Sequence, residues 1–153
     1  MTIAVAADHA GFPLKAAILQ LVQELGHEPL DLGTHSTEPV DYPDYAEKMA
    51  RAITEKRADR GVLLCGSGAG ICIAANKFRG IRAATCHDTF SAHQAVEDDA
   101  ANTLCIGARI VGPSLAVELV RTFLNAQFSG AARHVRRLEK VKRFEADFIT
   151  QEH

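Results

Sequence analysis

The chain has 153 residues, 47% of them hydrophobic and 24% charged, with a net charge of −2 when its seven histidines are neutral. That length supports one domain with a substantial core and is too short for two. The mildly acidic balance argues against general nucleic-acid binding, which needs a basic field to gather phosphates, and no apolar run approaches the ~18 residues of a membrane span.

In chain order, apolar β-branched runs alternate with amphipathic helical patterns. The opening MTIAVAADHAGF carries no basic stretch ahead of a long apolar run, so it reads as a first strand, Thr2–Ala7, and not as a secretory leader. A helix over Phe12–Leu25 ends at Gly26, and a short strand follows at Leu30–Leu32. Pro43–Lys56 is helical, with Tyr45, Met49, Ala52 and Ile53 on one face. Gly61–Cys65 is a buried strand, Gly70–Lys77 opens a helix, and Ile81–Cys86 and Thr103–Ile106 are further strands. Pro113–Asn125 is a helix that begins on proline, where the missing N–H costs nothing. After the Ser129-Gly130 break, Ala131–Phe148 forms a charged helix with an apolar stripe of Leu138, Val141, Phe144 and Phe148. Two readings fit it: a terminal helix packed on its own domain, or an arm docking on a second subunit.

Nearly all-apolar strands alternating with helices imply a parallel sheet covered on both faces. The expected fold is α/β: a single Rossmann-like three-layer domain over residues 1–153, with a five-stranded parallel sheet and a C-terminal helical arm at 131–149. The four cysteines, Cys65, Cys72, Cys86 and Cys105, include no C-x-x-C pair. Free thiols point to a reducing compartment, hence the cytoplasm, and disfavour a thiol redox protein. Cys72, Cys86 and Cys105 read as small apolar residues of the core.

Ligands of open α/β sheets bind beyond the carboxyl ends of the strands. The residues there are Asp8-His9-Ala10-Gly11, Cys65-Gly66-Ser67-Gly68-Ala69-Gly70, His87-Asp88 and Gly107-Ala108-Arg109. The glycine-rich run leads straight into a helix, so its backbone can approach a ligand and aim N–H groups at an anion or a developing oxyanion. It lacks the lysine of a P-loop, which argues against nucleoside triphosphate hydrolysis. Cys65 precedes that loop, and a thiolate beside helix N–H groups can act as base or nucleophile.

Several motifs make a resemblance specific. They are A-D-H-A-G-F at 7–12, D-Y-P-D-Y-A at 41–46, C-G-S-G-A-G-I at 65–71, I-A-A-N-K-F-R-G-I-R-A at 73–83, N-x-L-x-x-G-A-R at 102–109 and R-H-x-x-R at 133–137. Together they resemble the type B ribose-5-phosphate isomerases, a family that also includes galactose-6-phosphate isomerases. The resemblance implies an aldose–ketose isomerase without metal or cofactor. Cys65 then moves the proton between C1 and C2, Ser67 assists, and the loop Gly66–Ser67–Gly68–Ala69–Gly70 supplies N–H groups to the enediolate. Asp8 and His9 match a pair that binds substrate hydroxyls and phosphate, and Arg109, Arg133 and Arg137 match a phosphate clamp. A subgroup uses a glutamate after the glycine loop; Ile71 stands there and cannot titrate. The partner implied is a second copy of the chain, a homodimer with shared active sites, with further assembly to a tetramer left open.

One segment departs from the pattern. Relatives carry His-Asn where this chain has Asp98-Asp99, and that histidine is thought to open the furanose ring. An ordinary carboxylic acid is already ionised at neutral pH and is a poor proton donor. Three explanations are open. Asp98 serves as the acid, with Asp99 still near the hydroxyls; His87 or His93 substitutes; or the substrate needs no ring opening. A tetrose 4-phosphate has its O4 esterified and cannot close to a furanose, so it competes with pentose and hexose phosphates as substrate. A non-catalytic sugar-phosphate-binding module is the competing class, because fold does not fix function. Metal ligation by Asp8, His9, His87, Asp88, Asp98 and Asp99 matches no standard spacing.

Overall fold

The alternation of apolar runs and helices builds one sheet in the computed structural model of the protein, which describes residues 1–149. Residues 150–153 of the expected domain lie outside the described residues. The strands are β1 (Thr2–Ala7), β2 (Glu28–Asp31), β3 (Arg60–Cys65), β4 (Ala83–Thr85) and β5 (Thr103–Gly107). Between and after them come α1 (Phe12–Glu24), α2 (Tyr42–Thr54), α3 (Ala69–Ala75), α4 (Thr89–Glu97), α5 (Pro113–Asn125) and α6 (Ala132–Phe148). All pairings are parallel, in the order β2-β1-β3-β5-β4, and Cys65 pairs with Gly107 at the carboxyl end.

Because side chains alternate across a strand, each central strand feeds two cores. Ile3, Val5, Val62, Leu64, Leu104 and Ile106 pack beneath α1, α4 and α5. Ala4, Ala6, Leu63, Cys65 and Cys105 face α2 and α3. The second face is built of smaller residues, so its helices sit close. A Cβ on Gly61 would collide with the Met49 sulfur of α2.

Helices α2 and α3 end two residues before the expected Lys56 and Lys77, and three other elements also differ from expectation. Helix α4 has no counterpart among the expected elements. It is nine residues long and buries only Ala92 and Val96, too few to register as a periodic pattern; its clearest signal is Asp88, whose carboxylate caps the Ser91 N–H at 2.8 Å. Strand β4 is confined to Ala83–Thr85 instead of Ile81–Cys86, because it is an edge strand with β5 as its one partner. Strand β2, at the other edge, runs two residues earlier at its start, Glu28–Asp31 instead of Leu30–Leu32. Edge strands bury less, so apolar content marks their limits poorly.

Helix α6 forms over the expected residues and stands apart from the body. Only His134 of α6 is buried, while Val141, Phe144 and Phe148 are 51%, 54% and 77% exposed. Glu145 ties the helix back by accepting the Gly80 N–H at 2.7 Å. Between α6 and the β4 edge runs an open apolar groove of about 590 Å³, lined by Ile81, Ala84, Leu138, Val141 and Phe144 among others.

Candidate active site

Strand β3 delivers Cys65 to the carboxyl end of the sheet, where its side chain is 4% exposed. The chain then turns sharply. Gly68 caps α3 in the left-handed region, φ +79°, a conformation glycine adopts without steric cost. That turn brings the Gly68 N–H back onto the Cys65 sulfur, which accepts it at 3.0 Å.

The loop is held by its neighbours. The Cys65 and Gly66 carbonyls accept N–H groups of Ala108 (2.8 Å) and Arg109 (3.0 Å), so the turn after β5 is stitched to the loop. A Cβ on Gly107 would stand 2.5 Å from the Ser67 carbonyl carbon, which requires glycine there. The Thr85 hydroxyl donates to the Gly68 carbonyl at 2.7 Å. His87 Nε2 accepts the Gly107 N–H at 2.9 Å, which leaves its ring proton on Nδ1. The Ser67 hydroxyl oxygen accepts the Ala69 N–H at 3.2 Å. Arg109 lies over Gly66, with Nη1 3.2 Å from where a Cβ would be, and the Tyr42 ring covers Gly70 in the same way at 2.9 Å.

Strand β1 brings Asp8 and His9 to the same end. Asp8 is buried, and its Oδ1 accepts the N–H groups of Ala10 and Gly11, both at 2.9 Å, so the carboxylate shapes the β1–α1 turn. His9 Nδ1 accepts the Val40 N–H at 3.1 Å, which leaves Nε2 to donate to a ligand. Asp8, His9, Cys65, Gly66 to Gly70 and Arg109 therefore gather at one end of the sheet.

Asp98, Asp99, Arg133 and Arg137 do not join them. Helix α4 runs back against the strands, so Asp98, its C-cap, lies at the amino end. There the Arg82 guanidinium donates to the Ala100 carbonyl at 2.8 Å, just ahead of β5, and Ser129 donates its N–H to Glu97 at 3.0 Å. Buried His134 of α6 places Nε2 3.4 Å from Asp98 Oδ1, while its Nδ1 meets the Ser129 hydroxyl. Asp99 and Arg137 border the groove beside α6. Six-residue β3 spans roughly 20 Å, so within one chain the two groups cannot touch one small molecule.

Reasoning on the sequence places His87 at the carboxyl end, as found, without its tie to Gly107, and it gives no role there to Tyr42 or Thr85. It also takes Cys72 as purely apolar. The thiol is half-buried, with its sulfur 3.5 Å from the Ala83 carbonyl and 3.6 Å from Asn76 Nδ2. Hydrogen bonds from the Cys105 thiol first, and then from Thr85, outweigh burial and hold its pKa down to about 6. Burial, reinforced by Asp88, pushes Cys86 up to about 11. Among the described residues, no three His, Cys, Asp or Glu side chains converge as metal ligands do. No described helix is long and apolar enough to cross a membrane.

A family model described as ribose/galactose isomerase matches residues 3–141. The chain is 44% identical over 143 residues to ribose-5-phosphate isomerase B of Escherichia coli (strain K12), covering 94% of this chain and 95% of the relative. It is 42% identical over 146 residues to the D-erythrulose-4-phosphate isomerase of Pectobacterium atrosepticum, with 95% of each covered. The solved structure of Clostridium thermocellum ribose-5-phosphate isomerase B superposes with a TM-score of 0.94 at 43% identity, over 97% of this chain and 99% of the other. With the glycine loop closed on Cys65 at the carboxyl end of this sheet, the chain belongs to the ribose/galactose isomerase family and is a sugar-phosphate isomerase.

Proposed function

We propose that this protein interconverts ribose 5-phosphate and ribulose 5-phosphate, with Cys65 as the base. The observation that carries the reading is the Cys65 sulfur at the mouth of the glycine loop, already accepting the Gly68 N–H. Cys65 takes the proton from C2 of the open-chain aldose, leaving an enediolate. The amides of Gly66–Gly70, with Ser67, stabilise its oxygens. The hydroxyl proton passes from O2 to O1, and the Cys65 thiol returns its proton to C1, giving the ketose. Proton transfer and charge stabilisation suffice for this reaction, so it calls for no cofactor.

The working unit is a homodimer acting in the cytoplasm, the whole chain serving as one domain. His9 and Arg109 hold the phosphate from one chain, and Arg133 and Arg137 reach it from the other, while Asp8 and Asp99 orient hydroxyls. Two observations support this: the arginines of α6 lie a strand length from Cys65 of their own chain, and the apolar stripe of α6 is exposed. Free thiols agree with a reducing compartment.

A second substrate reading has its own support. Asp98, at the position where the resemblance expects the ring-opening histidine, has its Oδ1 3.4 Å from Nε2 of buried His134. A tetrose 4-phosphate needs no ring opening, and one relative is named for erythrulose 4-phosphate. The test is turnover of ribose 5-phosphate and erythrose 4-phosphate side by side by wild type and Cys65→Ser. The expected result is preference for the pentose and loss of turnover in Cys65→Ser. Preference for the tetrose replaces the pentose reading, and a fully active Cys65→Ser removes the proposed base.

A further inference from the structure

The glycine-rich loop faces a problem of its own composition. Gly66, Gly68 and Gly70 give it the freedom to turn back on Cys65, and the same freedom lets it leave that geometry. Something outside the loop must fix it. Two carbonyls, those of Cys65 and Gly66, are tied by main-chain N–H groups of the turn after β5, and no side-chain substitution deletes those bonds. The Gly68 carbonyl is different: the Thr85 hydroxyl donates to it at 2.7 Å.

Peptide planes are rigid, so φ and ψ of Gly68 are the only soft torsions between its N–H and its carbonyl. With the carbonyl held, rotation about those two bonds is the only local route by which the N–H can leave the sulfur. The Thr85 methyl adds a steric wall, since it stands 3.0 Å from where a Gly68 Cβ would be, with the Gly107 nitrogen at 3.1 Å behind it. Thr85 ends the edge strand β4, so the strand supplies this prop from outside the strand that carries the sulfur.

We propose that Thr85 is a positioning residue for the isomerisation: its hydroxyl holds the Gly68–Ala69 peptide and its methyl walls off rotation at Gly68, so that the Gly68 N–H stays on the Cys65 sulfur. This rests on the reading of Cys65 as the base. Thr85 touches neither substrate nor reacting atoms; it acts through Gly68.

Thr85→Val keeps the shape and deletes the hydroxyl, and Thr85→Ser restores it. Two readouts are taken on the intact protein: amide hydrogen exchange at Gly68 by NMR, and steady-state kinetics. In Thr85→Val the Gly68 amide is expected to exchange at least about fivefold faster and kcat to fall about five- to tenfold, the worth of one hydrogen bond, with KM changed less than about twofold. Thr85→Ser is expected to recover both. Should Thr85→Val not fold, Thr85→Ala against Thr85→Ser gives the same comparison. Unchanged Gly68 exchange overturns the proposal, as does unchanged kcat with faster exchange. Gly68 exchange is read without substrate, so an active Cys65→Ser would remove the proposed base while the exchange result still decided whether Thr85 holds the loop.

Discussion

The two ends of the sheet are built on opposite plans. At the carboxyl end, main-chain groups do most of the work: a left-handed glycine, two carbonyl–amide stitches and a carboxylate-capped turn set up a rigid cup around Cys65. At the amino end, long side chains hold main chain. Arg60 donates to the Phe123 and Ala126 carbonyls at 2.8 and 2.9 Å, Arg82 donates to Ala100, and Glu145 accepts from Gly80. Burial lowers the pKa of both arginines, against the opposing pull of Asp59 on Arg60 and of Glu145 on Arg82. On the proposed mechanism the cup stabilises a developing charge, and a backbone cup suits that role because it need not reorganise as the charge appears. An end that anchors α5 and α6 can use side chains, and it leaves Arg133 and Arg137 exposed.

The sharpest test of that division mixes two damaged chains. Cys65→Ala is expected to lose about a thousandfold in kcat, the scale of a missing general base, and Arg137→Ala is expected to be crippled at substrate well below the wild-type KM, the condition under which the mixture is assayed. If each site takes its cup from one chain and its arginines from the other, equimolar reassortment returns about a quarter of wild-type activity, from half the dimers with one whole site each. No recovery would mean that each site is served by a single chain. Taken alone and with substrate varied through saturation, Arg133→Ala and Arg137→Ala are expected to raise KM about ten- to a hundredfold and to leave kcat within about threefold, the signature of lost binding shared by ground and transition states. A collapse of kcat instead would move the arginines into the chemistry.

Stability should separate the ends in the other direction. Arg82→Leu removes the half-buried guanidinium from the Ala100 carbonyl, and urea unfolding is expected to show a loss of about 1–3 kcal/mol with kcat of the folded enzyme unchanged. The smallest effect belongs to the flank of the cup, where buried Lys15 grips Asp31 through both oxygens, at 2.8 and 3.0 Å. Burial pushes the Asp31 carboxyl up, but the hydrogen bonds from Lys15 and from the Gly33 N–H, with the Lys15 charge, outweigh it and hold the carboxyl below its ordinary value. A depressed folded pKa means that the stabilisation is complete above the unfolded carboxylate value and is lost as pH falls through the folded one. The gap between wild type and Asp31→Asn in urea melts is expected to be about 1 kcal/mol or less at neutral pH, because Asp31 is part-exposed, and to close in acid below the ordinary carboxylate range.

Legibility follows burial. Strands β1, β3 and β5 are buried on both faces, so their apolar runs announce them, and the cysteine and glycines that follow β3 stand out as a site by their order in the chain alone. The edge strands β2 and β4 and the short helix α4 bury little, and their limits or existence are lost with that signal. Within the cup, Cys65 and the glycines are contiguous in sequence, whereas Thr85 and Tyr42 reach the loop from other elements. No local pattern marks a hydroxyl that will meet a carbonyl 17 residues away in the chain.

The sequence by itself determined the parallel α/β layering, the glycine loop after β3, and which residue types could carry acid–base chemistry, because alternation and turn composition are local properties. Only the tertiary structure decided where each of those residues ends up. In a parallel sheet every strand leaves its following residues at one end, and every returning helix leaves its last residues at the other. Cys65, Asp8, His9 and Arg109 follow strands and meet in one cup. Asp98 follows a helix, Arg133 and Arg137 begin the next one beyond α5, and all three lie a strand length away from Cys65 of their own chain.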